Sequence, residues 1–299
     1  MSKRPKSQEN LQRVYIWALP RTLGTALVKC LSYVDGIQIV YEPCVSAYHY
    51  GPEADTERKS FVAQYMENAI ANQMALENAF DDEKCTYDWI KHELEADYPG
   101  KKSLLVKDIV YCLDEKYDVL PAGFRYAFLI RHPYRVLPSW KSIVGRLLPE
   151  DIDINYISMK DFHKFNNQPE AYEMQYNLFN YIKENLDPNV VVIDADDLQS
   201  NPSSILRQFC QGVGIPYDDS LLKWPGDQDI VKAWKASRIN LQGNFLQNEG
   251  GFYEAALKST HFFPARPLPD RSELPKDIQD AADYSMQFYD KMREMCLKP

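Results

Sequence analysis

The chain has 299 residues, 45% hydrophobic and 26% charged, which is ordinary globular composition with enough length for a substantial core. Its formal net charge is −9. A general nucleic-acid binder usually carries a basic surface, so that class is disfavoured, and any anionic ligand must be held by a local cluster of cations and backbone donors. The six cysteines form no CxxC pair, the five histidines are dispersed with no HExxH, and no apolar run approaches the roughly 20 residues that span a bilayer. The opening MSKRPKSQENLQR is polar and lacks the apolar centre of a signal peptide. These features lead us to expect a cytoplasmic protein without metal, membrane segment or nucleic-acid partner.

Short β-rich runs alternate with helical stretches, which predicts an α/β fold with a parallel sheet. The predicted strands are Arg13 to Leu19, Ile37 to Tyr41, Ser103 to Lys107, Tyr126 to Arg131 and Asn189 to Asp194. A helix is expected from about Thr25 to Tyr33, and another begins at the SNPSS run with a cap residue and an early proline. Two helical insertions, about 55–94 and 153–186, are expected to form a lid and substrate walls over the sheet. One domain spanning 1–299 is the simpler organisation, with a surface crossing at Pro264 to Pro275 before a last helix.

The first strand leads into Leu19-Pro20-Arg21-Thr22-Leu23-Gly24-Thr25-Ala26. A strand entering a short loop and then a helix brings free backbone N–H groups and the positive helix end to one point, which is an anion site. Arg21 adds a fixed cation, and Thr22 and Thr25 add hydroxyls. No lysine follows Gly24, so the Walker pattern is absent and an ATPase or GTPase is disfavoured. A second element, Phe128-Leu129-Ile130-Arg131-His132-Pro133, runs into a helix carrying Ser139. Arg131 and Ser139 can pinch one phosphate near the sheet edge. The apolar positions Val136, Leu137, Trp140, Ile143, Val144 and Leu147 are expected to pack that helix on the sheet.

The pair P-R-T-x-G-T and R-H-P-x-x-x-x-P-S resembles the two cofactor signatures of the sulfotransferases that use the activated sulfate donor PAPS (3′-phosphoadenosine-5′-phosphosulfate). The resemblance implies a three-layer P-loop fold with a central parallel sheet and helical lid insertions. It makes Pro20, Arg21, Thr22, Leu23, Gly24 and Thr25 the 5′-phosphosulfate loop, and Arg131 and Ser139 the 3′-phosphate site. Many members have glycine where this chain has Leu23. The separations of Glu42 and Lys107 from these motifs resemble those of tyrosylprotein sulfotransferases, where the matching Glu is the base and the matching Arg and Lys stabilise the transferring group. The cytosolic branch places a catalytic His two residues after its Lys; Ile109 stands there, so that mechanism does not carry over. Weaker likeness extends to Pro188–Pro216 and Phe252–Phe262.

Arg21, Glu42, Lys107 and Arg131 all fall at the carboxyl ends of predicted strands, the edge where open α/β sheets bind ligands. The expected reaction is in-line sulfuryl transfer from PAPS to a hydroxyl or amine of a small-molecule acceptor, with Glu42 accepting the proton and no metal required. His49 is the rival base. Asp108 is expected to orient Lys107, and His132 to cap or pack. The aromatics Tyr156, Phe162, Phe165, Tyr172, Tyr176 and Phe179 are read as packing first, with one or two open to stacking on acceptor or adenine. A P-loop kinase-like transferase, with Asp194 to Asp197 holding metal, and a sulfotransferase fold turned to another function are the alternatives. Acceptor and oligomeric state stay open.

Overall fold

A computed structural model describes residues 11–56, 59, 79–145, 153–159, 170–227, 229–237 and 253–299. The chain order among these is β1 (Gln12–Ala18), α1 (Gly24–Leu31), β2 (Ile37–Tyr41), α2 (Pro43–His49), β3 (Ala79–Phe80), α3 (Tyr87–Glu95), β4 (Ser103–Ile109), β5 (Arg125–Ile130), α4 (Pro133–Gly145), α5 (Ala171–Asn185), β6 (Val191–Asp194), α6 (Ala195–Ser200), α7 (Pro202–Val213), β7 (Lys235–Ser237), α8 (Glu254–Leu257) and α9 (Lys276–Arg293). The strands form one seven-stranded sheet, ordered β3-β7-β2-β4-β1-β5-β6, and every pairing is parallel. The α/β class expected from the alternation is what the chain adopts.

Strand periodicity sorts the core into two layers. Along β1, Val14, Ile16 and Ala18 meet α1, α6 and α7, whereas Tyr15 and Trp17 meet α2, α3, α5 and α9 on the opposite face. Among the described residues of the apolar face predicted on α4, Val136 reaches the sheet, whereas Leu137, Trp140, Ile143 and Val144 pack against Ile278, Ala281 and Ala282 of α9. Within the 153–186 segment, α5 lies on the sheet. Its Phe179 meets Phe128 edge-on, and its Gln175 and Tyr172 donate to the carbonyls of Leu129 and Arg131. Tyr156 is exposed, and the ring of Tyr176 lies tilted beside Phe288. Phe162, Phe165, Leu147 and Phe252 lie outside the described residues.

Element ends follow local chemistry. The predicted strand from Asn189 begins only at Val191, because Asp187 draws the Asn189 N–H into a turn while also binding the Tyr126 N–H and Arg125. α7 starts as its SNPSS run predicts: Pro202 opens it, the Asn201 side chain accepts from the Ser204 N–H, and Gly214 closes it at φ 76°. β3 and β7 are two and three residues long, too short to show alternation in sequence.

Asp108 does not orient Lys107. Neighbouring strand residues face opposite ways, so Asp108 turns to the α2 face, accepting from the Cys44, Val45 and Ile109 N–H groups and the Tyr15 hydroxyl. It thereby holds the start of α2. Burial pushes its carboxyl up to about 7 against the pull of those donors. Folding therefore takes up a proton: the contribution of Asp108 to stability is full below its unfolded value of about 4 and is lost as pH rises toward 7. Comparing denaturant unfolding of wild type and Asp108→Asn, the wild-type advantage should shrink by something on the order of 3 kcal/mol between these limits. A difference that stays flat or grows with pH would contradict this.

Candidate functional site

Strand order assembles the site. β4 inserts between β2 and β1, aligning Lys107 with Tyr41 on one side and Ile16 on the other. The Glu42 N–H continues the β2–β4 ladder by donating to the Lys107 carbonyl at 2.8 Å. β4 runs two residues past Lys107, so that lysine sits inside the strand near its carboxyl end. Its ammonium donates to Glu42 Oε1, and both residues are almost wholly withdrawn from water. The Tyr41 ring centroid lies 5.2 Å from Lys107 Nζ.

Three bulky residues at this edge take left-handed backbone: Arg21 (φ 68°), Leu23 (φ 69°) and Glu42 (φ 52°). Each such residue costs roughly 1–3 kcal/mol, so the surrounding contacts must enforce the conformation. Leu23 shows the backbone that glycine reaches without a Cβ penalty, and the chain keeps that path with a side chain present. Leu23 precedes α1 with no side-chain cap, which leaves the first amides of the helix to the loop. Thr22 is buried and gives its hydroxyl to the Leu19 carbonyl at 2.7 Å, so it braces the turn. The Thr25 hydroxyl bonds Tyr41 Oη at 2.7 Å. Gly24 has a steric reason: a Cβ there would stand 2.8 Å from Lys107 Cε.

The second motif joins the first directly. Arg21 Nε donates to Ser139 Oγ at 3.0 Å, and Arg131 Nη1 donates to the Arg21 carbonyl at 3.0 Å. Arg131 Nη2 reaches Gln199 Oε1 at 3.0 Å, and its Nε reaches Asp196 at 3.2 Å. A guanidinium has five N–H groups, so two remain beyond these partners, one on each terminal nitrogen, suited to forked binding of a phosphate. Arg135, one helical turn on, pairs with the other oxygen of Asp196 at 2.7 Å.

The expected positions therefore converge in part. Arg21, Ser139 and Arg131 form one group; Gly24, Thr25, Lys107 and Glu42 form another, and α1's loop joins them. His49 sits at the far end of α2, about 10 Å of helix rise from Glu42, between the rings of Tyr48 and Tyr50. His132 accepts the Tyr134 N–H on Nδ1 and packs beside Tyr289. Asp194 caps α6 and accepts from Tyr289, while Asp197 pairs with Arg293. Among the described residues no group of three His, Cys, Asp or Glu could hold a metal, and no helix is long and apolar enough to cross a membrane.

Tyr253 was not anticipated. Its hydroxyl donates to Glu42 Oε2 at 2.7 Å, and its ring meets Tyr41 edge-on. Burial, then the charge of Glu42, pushes both phenols up, so each remains a protonated donor. The weak likeness over Phe252–Phe262 was the only sequence signal near it.

Residues 171–296, less than half of the chain, match a family model described as a sulfotransferase domain. That stretch holds Asp196, Gln199 and Tyr253 and excludes the two motifs at the other end. This match makes the stretch from α5 to just past the end of α9 similar to a sulfotransferase domain. Among curated proteins it is similar to two from Arabidopsis thaliana. Branched-chain-amino-acid aminotransferase-like protein 2 is 23% identical over 72% of this chain and 32% of that protein, and protein 1 is 22% identical over 94% and 41%. The chain thus spans about a third to two fifths of the length of these relatives. Similar solved structures include the sulfotransferase domain of the Synechococcus PCC 7002 olefin synthase (17% identity, 95% of this chain, 98% of that one, TM-score 0.42). Another is mouse sulfotransferase SULT7A1 complexed with PAP (12% identity, 97% and 89%, TM-score 0.45).

Gly24→Ala tests the close approach. The new methyl must push the Lys107 ammonium away from Glu42. Separating a buried ion pair is destabilising, so denaturant unfolding of Gly24→Ala should show a loss of about 3 kcal/mol against wild type. Unchanged stability would mean that Lys107 shifts without consequence.

Proposed function

We propose that the chain transfers the sulfuryl group of PAPS to a hydroxyl or amine of a small-molecule acceptor, with Glu42 as base. The observation that carries this reading is the convergence at one sheet edge of an arginine loop, a buried Lys107–Glu42 pair and a fixed Arg131. The residues fit the donor: the uncapped start of α1 and Arg21 suit its 5′ end, and the two spare N–H groups of Arg131, with Ser139 close by, suit its 3′-phosphate. When bound, PAPS supplies the sulfuryl group, its bond to the 5′-phosphate oxygen breaking as a bond to the acceptor atom forms. Arg21 and Lys107 place positive charge where the departing oxygen gains negative charge. Glu42 takes the acceptor proton. All six cysteines are free and buried, in keeping with the reducing compartment of a cytoplasmic protein.

The kinase-like alternative draws less support. Each of Asp194, Asp196 and Asp197 is already bonded to a helix N-terminus or an arginine. The aminotransferase-like name of the Arabidopsis proteins belongs to chains of which this one matches a minor share.

PAP alone should stabilise the protein without added metal, by roughly 2.7 kcal/mol at about 100 times its dissociation constant. A larger melting shift with ADP and magnesium would favour the kinase-like reading. Glu42→Gln should keep PAP affinity near wild type and lower kcat roughly 10²–10⁴-fold. Normal turnover of that variant, with loss in His49→Asn, would transfer the role of base to His49.

A further inference from the structure

We propose that Tyr253 is a positioning residue for Glu42, itself held in place from α1 by the buried ammonium of Lys29; the proposal rests on Glu42 as base. Glu42 offers two carboxylate oxygens. Oε1 accepts from Lys107 and Oε2 accepts from Tyr253 at 2.7 Å. A carboxylate has about four lone-pair sites, so a contact on each oxygen restrains its plane and leaves acceptor capacity for an incoming proton. Tyr253 has few ways to move. Its carbonyl accepts the Leu257 N–H at 2.9 Å, at the first turn of α8, and its ring leans edge-on against buried Tyr41.

Lys29 explains what holds α8 there. It is fully buried on α1, and its Nζ donates to the carbonyls of Leu257 and, at 3.0 Å, Ser259. Those carbonyls lie at the last residue of α8 and just past it, where a helical turn leaves acceptors without backbone partners. Ser259 Oγ is fastened in turn to the Ala256 carbonyl at 2.6 Å and to Trp224 Nε1 at 3.2 Å. α1 begins at Gly24, so one helix carries the arginine loop at its start and the anchor of Tyr253 near its end. Donor loop and base are thereby set in one frame.

Losing the Tyr253 hydrogen bond should free the Glu42 carboxylate to rotate, which slows proton transfer without weakening donor binding. Among the described residues, the titratable groups facing Glu42 are Lys107 from β4, Tyr41 from β2 and Tyr253 ahead of α8. Tyr50, Tyr111 and Asp108 also lie within its electrostatic reach.

The test uses labelled PAPS alone, water standing in for the acceptor, and follows sulfate release in wild type, Tyr253→Phe and Glu42→Gln. Glu42→Gln should lower kcat at least about a hundredfold. Tyr253→Phe should lower kcat about tenfold with the KM for PAPS unchanged, a split that a loosened fold would not give. A large loss in Glu42→Gln with normal kcat in Tyr253→Phe overturns the positioning role alone. Normal kcat in Glu42→Gln overturns the base assignment, and the proposal with it. Should Tyr253→Phe not fold, 3-fluorotyrosine at position 253 keeps the shape with a stronger donor and should turn over at least as fast as wild type; a tenfold loss overturns the proposal.

Discussion

Lys107 and Glu42 are each nearly removed from water, and neither charge is tolerable there without the other. An isolated buried ion costs several kcal/mol, and a buried pair is sustained only when geometry is good and the remaining donors and acceptors are met. Much of the local structure can be read as meeting that demand. β2 must lie beside β4 to bring the pair together, and position 24 must lack a Cβ for the lysine to pass. Glu42 must turn through left-handed backbone as β2 gives way to α2, and Tyr253 must supply the second donor. Asp108, one residue past Lys107 and on the opposite face, anchors the helix that Glu42 opens.

The other cationic group follows a different logic. Arg131 and Arg135 are partly exposed and share the carboxylate of Asp196, which sits in the first turn of α6. For a half-buried cluster of this kind the desolvation of the charges offsets much of their attraction. Their effect is orientation: Arg131 is held by three partners in a plane that leaves one N–H on each terminal nitrogen. A phosphate bound there meets a cation whose rotamer entropy is already spent, which is the condition for tight recognition by a long side chain.

The loop between β1 and α1, the helix bearing Ser139, the five longer strands and the class of fold were legible because each rests on short-range pattern: alternation, caps, prolines and motif spacing. Boundaries moved where a side chain intervened, as Asp187 does before β6. The apolar stripe of α4 was visible, but its partner was not, since periodicity says that a face is buried and not against what. Tyr253 escaped for a related reason. One tyrosine in a chain with 20 of them carries no local mark, and it reaches Glu42 from 211 positions away.

Sequence by itself therefore marked candidate residues and placed them at or near the carboxyl ends of strands, because strand alternation and loop composition are local properties. Tertiary structure decided which of them touch. The insertion of β4 between β1 and β2 is a matter of long-range pairing, and it alone joins Lys107 to Glu42 and to Gly24. The same pairing sends Asp108 to the opposite face, away from the lysine it adjoins in sequence, since successive side chains of a strand point opposite ways.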